Sequence, residues 1–193
     1  MCKRKDDFSV ESLDEIKPFT RKVMLDWKNH DGWAPKSVSL KLDKAMFDWI
    51  IDLTDCLGIW VDKRKYLSDG ELILAYTNLG SLVENWLKLF YCIYYESYKE
   101  NPIKRGSNII EPNKTMLQSL KEFSVGKLWE KDDDWYNWIE HIQHRRNSIH
   151  SFNYRDIGDT QAFFEDLKKY KEFIEFVNNH FPPAPSEAYD YIN

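Results

Sequence analysis

The stretch SDGELILAYTNLGSLVENWLKLFYCIYYESYK, residues 68 to 99, sets the architecture. Ser68 and Glu71 stand at capping-box spacing: the hydroxyl can take an N–H of the first turn while the carboxylate reaches back to the cap. Beyond them Leu72, Leu79, Leu82, Val83, Trp86, Phe90, Ile93 and Tyr94 recur at helical steps, which predicts one long helix over about residues 70–99, closed by Pro102 and Gly106. Upstream, Leu42, Met46, Trp49, Ile50, Leu53 and Leu57 make a shorter apolar stripe that Gly58 ends. Downstream, Met116, Leu117, Leu120 and Phe123 predict another helix. Trp135, Trp138, Ile139, Ile142 and Ile149 predict the next, with the carboxylates of residues 132–134 suited to its N-terminus. Phe163, Leu167, Tyr170, Ile174 and Val177 predict a last one, between Gly158-Asp159-Thr160 and Pro182-Pro183. Before Leu42, the turn formers Asn29-His30-Asp31-Gly32 and Ala34-Pro35 interrupt short apolar pieces. Residues 1–41 therefore read as an arm or short helix, 42–181 as the bundle and 182–193 as a tail. No segment sustains an alternation of period two, so the fold class is all-α: an up-and-down bundle of about five helices.

Composition narrows the classes of function. The 193 residues carry 27 Lys+Arg against 32 Asp+Glu, a net charge of −5, and 42% of them are hydrophobic. With eight Trp, eleven Tyr and eleven Phe the chain has ample apolar surface to order one globular domain, which excludes disorder. The acidic balance disfavours a protein that coats nucleic acid through counterion release. A charged start without a signal-length apolar run predicts a cytoplasmic protein. The most apolar segment, residues 82–95, is broken by Glu84, Asn85 and Lys88, so no membrane span is expected. Cys2, Cys56 and Cys92 have no C-x-x-C spacing, which argues against a disulfide framework or zinc knuckle and reads as two core thiols and one tail thiol. No metal or other cofactor is expected.

Charge is segregated along the chain. Residues 130–134 hold four acids, whereas from His141 to Arg155 no acid accompanies Arg145, Arg146 and Arg155. In His141-Ile142-Gln143-His144-Arg145-Arg146-Asn147-Ser148-Ile149-His150, both central arginines fall on the apolar face. With Ile142 at zero, Arg145 lies near about −60°, Arg146 near about +40° and His150 near about +80° on an ideal helix. A guanidinium on a buried face needs an anion or water. An imidazole that exchanges protons near neutral pH, beside guanidinium forks that hold phosphate oxygens, suits phosphodiester cleavage.

Arg145, four residues, then His150 resembles the R-x(4–6)-H motif of the HEPN superfamily, small all-α bundles found among bacterial toxins, phage-defence proteins and CRISPR-associated ribonucleases. The resemblance spans Leu42 to Phe181. It implies a homodimer whose two motifs face one cleft, metal-independent cleavage of RNA, and a toxin-antitoxin or phage-defence setting with an antitoxin or defence protein as partner. It implies that His150 is catalytic with Arg145, and that Arg146 supports or substitutes. The family often has Asn, Asp or His after the arginine; here Arg146 stands there and Asn147 follows, so both arginines stay candidates. Where a subgroup extends the motif to His-x-Tyr, this chain has His150-Ser151-Phe152, and Tyr154 is the available tyrosine.

Glu84 and Asn147 are the supporting candidates, and Arg155 and His144 the RNA-binding ones. Glu84 is either half of an i, i+4 ion pair with Lys88 or the carboxylate that orients an arginine. Glu84 and Asp156 are the acids available to offset the arginines. His141 and His144 share a helix face, but no second ligand pair accompanies them. Trp86, Tyr91, Trp135 and Trp138 read as core rather than base-stacking residues, and Lys63-Arg64-Lys65 and Lys104-Arg105 as solvated loop charges. The alternative function is a noncatalytic bundle that binds a nucleotide, RNA or a partner protein.

Overall fold

The computed structural model describes residues 8–63 and 66–184. Along them run α1 (Phe8–Lys28), α2 (Lys36–Leu42), α3 (Phe47–Asp55), α4 (Leu57–Asp62), α5 (Asp69–Ile93) and α6 (Tyr95–Glu100). A hairpin of β1 (Lys104–Arg105) and β2 (Asn108–Ile109) follows, then a 3-10 turn (Pro112–Lys114), α7 (Leu117–Phe123), α8 (Asp134–Arg146), a second 3-10 turn (Asn147–His150) and α9 (Thr160–Asn179).

The helix starts are where the capping residues put them. The Glu71 carboxylate accepts from the Ser68 backbone N–H at 2.9 Å and from its hydroxyl at 3.1 Å, opening α5. Asp133 accepts the Tyr136 N–H at 2.9 Å to start α8, and Asp159 accepts the Ala162 N–H at 2.8 Å to start α9. Helix α5 buries residues around most of its circumference, from Leu72 and Tyr76 to Trp86 and Phe90, because it is the central strut of the bundle. It packs against α8 and α9 and also touches α2, α3, α4 and α7. Trp86 lies fully buried between the rings of Phe19 (6.1 Å, 17° between planes) and Phe181 (6.1 Å, 9°). This aromatic stack ties α1, α5 and the end of α9 into one core.

The all-α class holds, but several expectations need correction. Residues 8–28 form a full helix rather than part of an arm: Leu13, Ile16, Thr20, Val23, Met24 and Trp27 make a buried stripe against α3 and α9. The stretch expected as one helix over 42–57 is split at Asp43–Met46, and Gly58 lies inside α4 rather than ending a helix. Its buried face is Phe47, Ile50, Ile51 and Thr54, so Met46 and Trp49 face solvent. The long helix ends at Ile93, with Tyr94 as a break before α6, and a short antiparallel hairpin turning at left-handed Gly106 follows. With these breaks the helices outnumber the expected five.

Of the thiols, Cys92 is buried and its pKa is pushed up to about 12 by that burial, whereas Cys56 is exposed and not a core thiol. Cys2, Arg64, Lys65 and most of the tail after Pro183 lie outside the described residues. Among the described residues no helix is long and apolar enough to cross a membrane.

Candidate functional site

Helix α8 carries the arginines across the middle of α5 and ends in the 3-10 turn that holds His150. Arg145 is buried, and its Nη1 donates to Asp166 Oδ2 of α9 at 3.0 Å and to the Tyr76 hydroxyl of α5. The same carboxylate accepts from Tyr76 Oη at 2.7 Å, His141 Nε2 at 2.9 Å and, on Oδ1, Trp138 Nε1 at 3.0 Å. Four donors from two helices, α5 and α8, thus converge on one buried acid of α9. Burial alone would raise the Asp166 pKa; His141, Tyr76 and Trp138 outweigh it and hold the carboxyl below its ordinary range. Burial and the neighbouring Asp166 push the Tyr76 phenol upward, so it stays a neutral donor.

The guanidinium of Arg145 is walled by backbone as well as by side chains. Gly158 has φ +68°, and a Cβ placed there would come within 2.5 Å of Arg145 Nη2. A side chain at 158 would therefore meet both a left-handed backbone and the arginine head.

Arg146 takes a different route. Its stem crosses α5 at Gly80, where a Cβ would lie 2.7 Å from Arg146 Cδ, and Nη1 reaches Glu84 Oε2 at 2.6 Å. Glu84 is also bonded by Lys88 Nζ at 2.6 Å and by the Leu117 backbone N–H at 3.2 Å, at the start of α7. Glu84 therefore pairs with both Lys88 and Arg146, and it is largely buried rather than part of a solvated stripe. Burial would raise its pKa, but Lys88 and Arg146 bring it below the usual carboxylate value.

His150 is placed very differently. Its ring is exposed and makes no hydrogen bond or ion pair among the described residues. Ser151 follows in the left-handed region (φ 52°), an uncommon conformation for a side-chain-bearing residue, and turns the chain so that the Phe152 N–H bonds the His150 carbonyl at 2.7 Å. Phe152 and Tyr154 are then 98% and 95% exposed, too exposed to serve the core. Asn147 caps α8 through its backbone N–H, which bonds the carbonyls of Gln143 and Arg145. Arg155 Nη1 donates to His144 Nδ1 at 3.3 Å; because arginine only donates, that ring carries its proton on Nε2.

The His141–His144 option for a metal is not assembled, since His141 is engaged by Asp166 and His144 by Arg155. Trp86, Tyr91 and Trp138 are buried, and Trp135 packs on Phe173 and Phe176, as the core reading expects. Asp156 does not offset an arginine: its carboxylate accepts the Gly158 N–H at 2.9 Å. The acids that do so are Glu84, for Arg146, and Asp166, for Arg145; sequence reasoning missed Asp166 together with Tyr76, Gly80 and Gly158. A signal was available, because Asp166 stands on the apolar stripe of Phe163, Leu167 and Tyr170, the complement of an arginine on an apolar stripe. No family model, curated protein or solved structure matches the chain.

Proposed function

We propose that this chain is a HEPN-type, metal-independent endoribonuclease acting in a toxin-antitoxin or phage-defence setting. One observation carries the reading: in the turn that follows α8, four residues after Arg146, comes an exposed imidazole with no partner among the described residues, preceded by two arginines that carboxylates hold in place. An uncommitted imidazole can take the proton of a 2′-hydroxyl or give one to the departing 5′-oxygen, help worth about 10²–10⁴-fold. Attack of the 2′-oxygen on the adjacent phosphorus breaks the P–O5′ bond and leaves a 2′,3′-cyclic phosphate and a 5′-hydroxyl.

Of the two arginines we assign the phosphate to Arg146. Its side chain is 27% exposed against 10% for Arg145, and a single nitrogen is engaged by Glu84, so other N–H groups can turn outward. Arg145 is then a positioning residue for the helix end. Phe152 and Tyr154 offer faces on which bases can stack, and Arg155 with His144 forms a polar rim. One His150 supplies either acid or base; a twofold-related copy supplies the other, so the active unit in this reading is a homodimer.

Incubating mixed RNA with the protein in EDTA tests the proposal. The expected products end in cyclic phosphate, and His150→Ala abolishes their formation without lowering the melting temperature. No cleavage at any protein concentration would instead favour a noncatalytic bundle that binds a nucleotide, RNA or a partner protein.

A further inference from the structure

The turn between α1 and α2 places a buried histidine against two aspartates. His30 is 4% exposed, and its Nδ1 lies 2.9 Å from the Trp27 carbonyl. A carbonyl only accepts, so Nδ1 carries a proton, and in the neutral ring Nε2 presents a lone pair. That lone pair lies 3.2 Å from Asp43 Oδ1, at the C-cap of α2, yet Nε2 has no hydrogen-bond partner. Asp31 adds a second carboxylate, and the three ligand atoms lie within 4.8 Å of one another. Acceptors facing one another around a buried nitrogen are unfavourable unless something positive stands between them. A proton on Nε2 would call for alignment with Asp43, whose side chain is 56% exposed and free to adjust, but that alignment is absent.

We infer that His30, Asp31 and Asp43 form a binding site for a divalent transition-metal ion of borderline softness, with Zn2+ as its representative. One imidazole nitrogen with two carboxylates suits such an ion, whereas Mg2+ and Ca2+ favour all-oxygen sets. The Nδ1–H bond to a backbone carbonyl is the support that metal-bound histidines carry, because it fixes the tautomer and aims Nε2. Tetrahedral ligands at about 2.1 Å from zinc stand about 3.4 Å apart, close to the His30–Asp43 separation of 3.2 Å. Asp31 is exposed and closes the remaining distance by side-chain rotation. Lys28, beside the same cavity, is already paired with Asp48 at 2.8 Å and does not neutralise the two aspartates. The ion staples the turn after α1 to the end of α2 and takes no part in RNA chemistry at α8.

The test uses the untagged full chain, stripped with EDTA and desalted, then titrated calorimetrically with ZnCl2, MgCl2 or CaCl2. One equivalent of Zn2+ binds and the other two ions do not; at about 100 times the dissociation constant the melting temperature rises by roughly 5–10 °C. Asp31→Asn and Asp43→Asn, at exposed positions that leave the core intact, each weaken Zn2+ binding by about 10-fold or more. X-ray absorption of the zinc form shows nitrogen and oxygen neighbours and no sulfur, which separates this site from capture by the exposed Cys56. Failure of the stripped wild type to bind Zn2+, affinity unchanged in both aspartate variants, or a sulfur neighbour would overturn the proposal.

Discussion

Arg145 and His150 belong to one short segment but live under opposite conditions. The arginine is enclosed by Tyr76, Asp166 and the backbone of Gly158; the histidine is exposed, with its ring unengaged among the described residues. A buried charge that is fully paired supports the fold and gives up its freedom to react, whereas an exposed imidazole supports nothing and keeps its chemistry. Arg146 lies between these extremes, tied to Glu84 yet partly open. Within a single short segment, then, the fold separates a side chain locked into the core from one left open to solvent.

If this contrast is real, substitutions at its fixed end should cost stability and those at its free end should not. Asp166→Ala should have the largest effect, because it leaves the Arg145 charge buried and strips Tyr76 and Trp138 of their acceptor; we expect a loss of about 3–5 kcal/mol in urea unfolding. A loss below about 1 kcal/mol would show that the buried acid does not hold the motif. Gly158→Ala comes next at about 2 kcal/mol, from a left-handed alanine and a collision with Arg145, read as a lowered melting temperature.

Glu84→Gln, which keeps the shape of the side chain but drops its charge, should cost about 1 kcal/mol, with a larger proportional loss of RNA cleavage as Arg146 loosens. The pH profile sharpens the same point. Asp166 and Glu84 both have folded pKa values held below the unfolded ones, so their contribution is present above the unfolded values near pH 4 and is lost as pH falls through the folded values. Melting temperature should therefore drop on acidification, and less so in Asp166→Asn than in the wild type. At the free end, His150→Ala should change stability by no more than about 0.5 kcal/mol while lowering cleavage by about 10²-fold or more.

The elements with strong local signals were legible in the sequence. The Ser68–Glu71 box, the acids before α8 and Asp159 before α9 each announce a helix start through a bond made within a few residues. Helix α1 was hidden because Pro18 and the surrounding charges break up a stripe that nonetheless packs as a continuous helix. In α3 the apolar residues offered two overlapping faces, and only the surrounding helices choose between Met46 with Trp49 and Phe47 with Ile51. Composition and periodicity around residues 141–150 marked the motif, but Asp166 lies 21 residues beyond Arg145 on the next helix, and its one signal is its place on the apolar stripe of α9. Asp156, the acid near in the chain, turned out to serve the loop backbone.

The position of Asp166 on the last helix orders events in time. Chains fold as they emerge from the ribosome, at about 5–20 residues per second, so α8 is delivered on the order of seconds before α9 is complete. During that interval Arg145 lacks the Asp166 carboxylate, and α1 has only part of the surface against which it packs, α3 without α9. The motif acquires its fixed end only when α9 docks, so Arg145 cannot be locked in place until the chain has been made beyond Asp166.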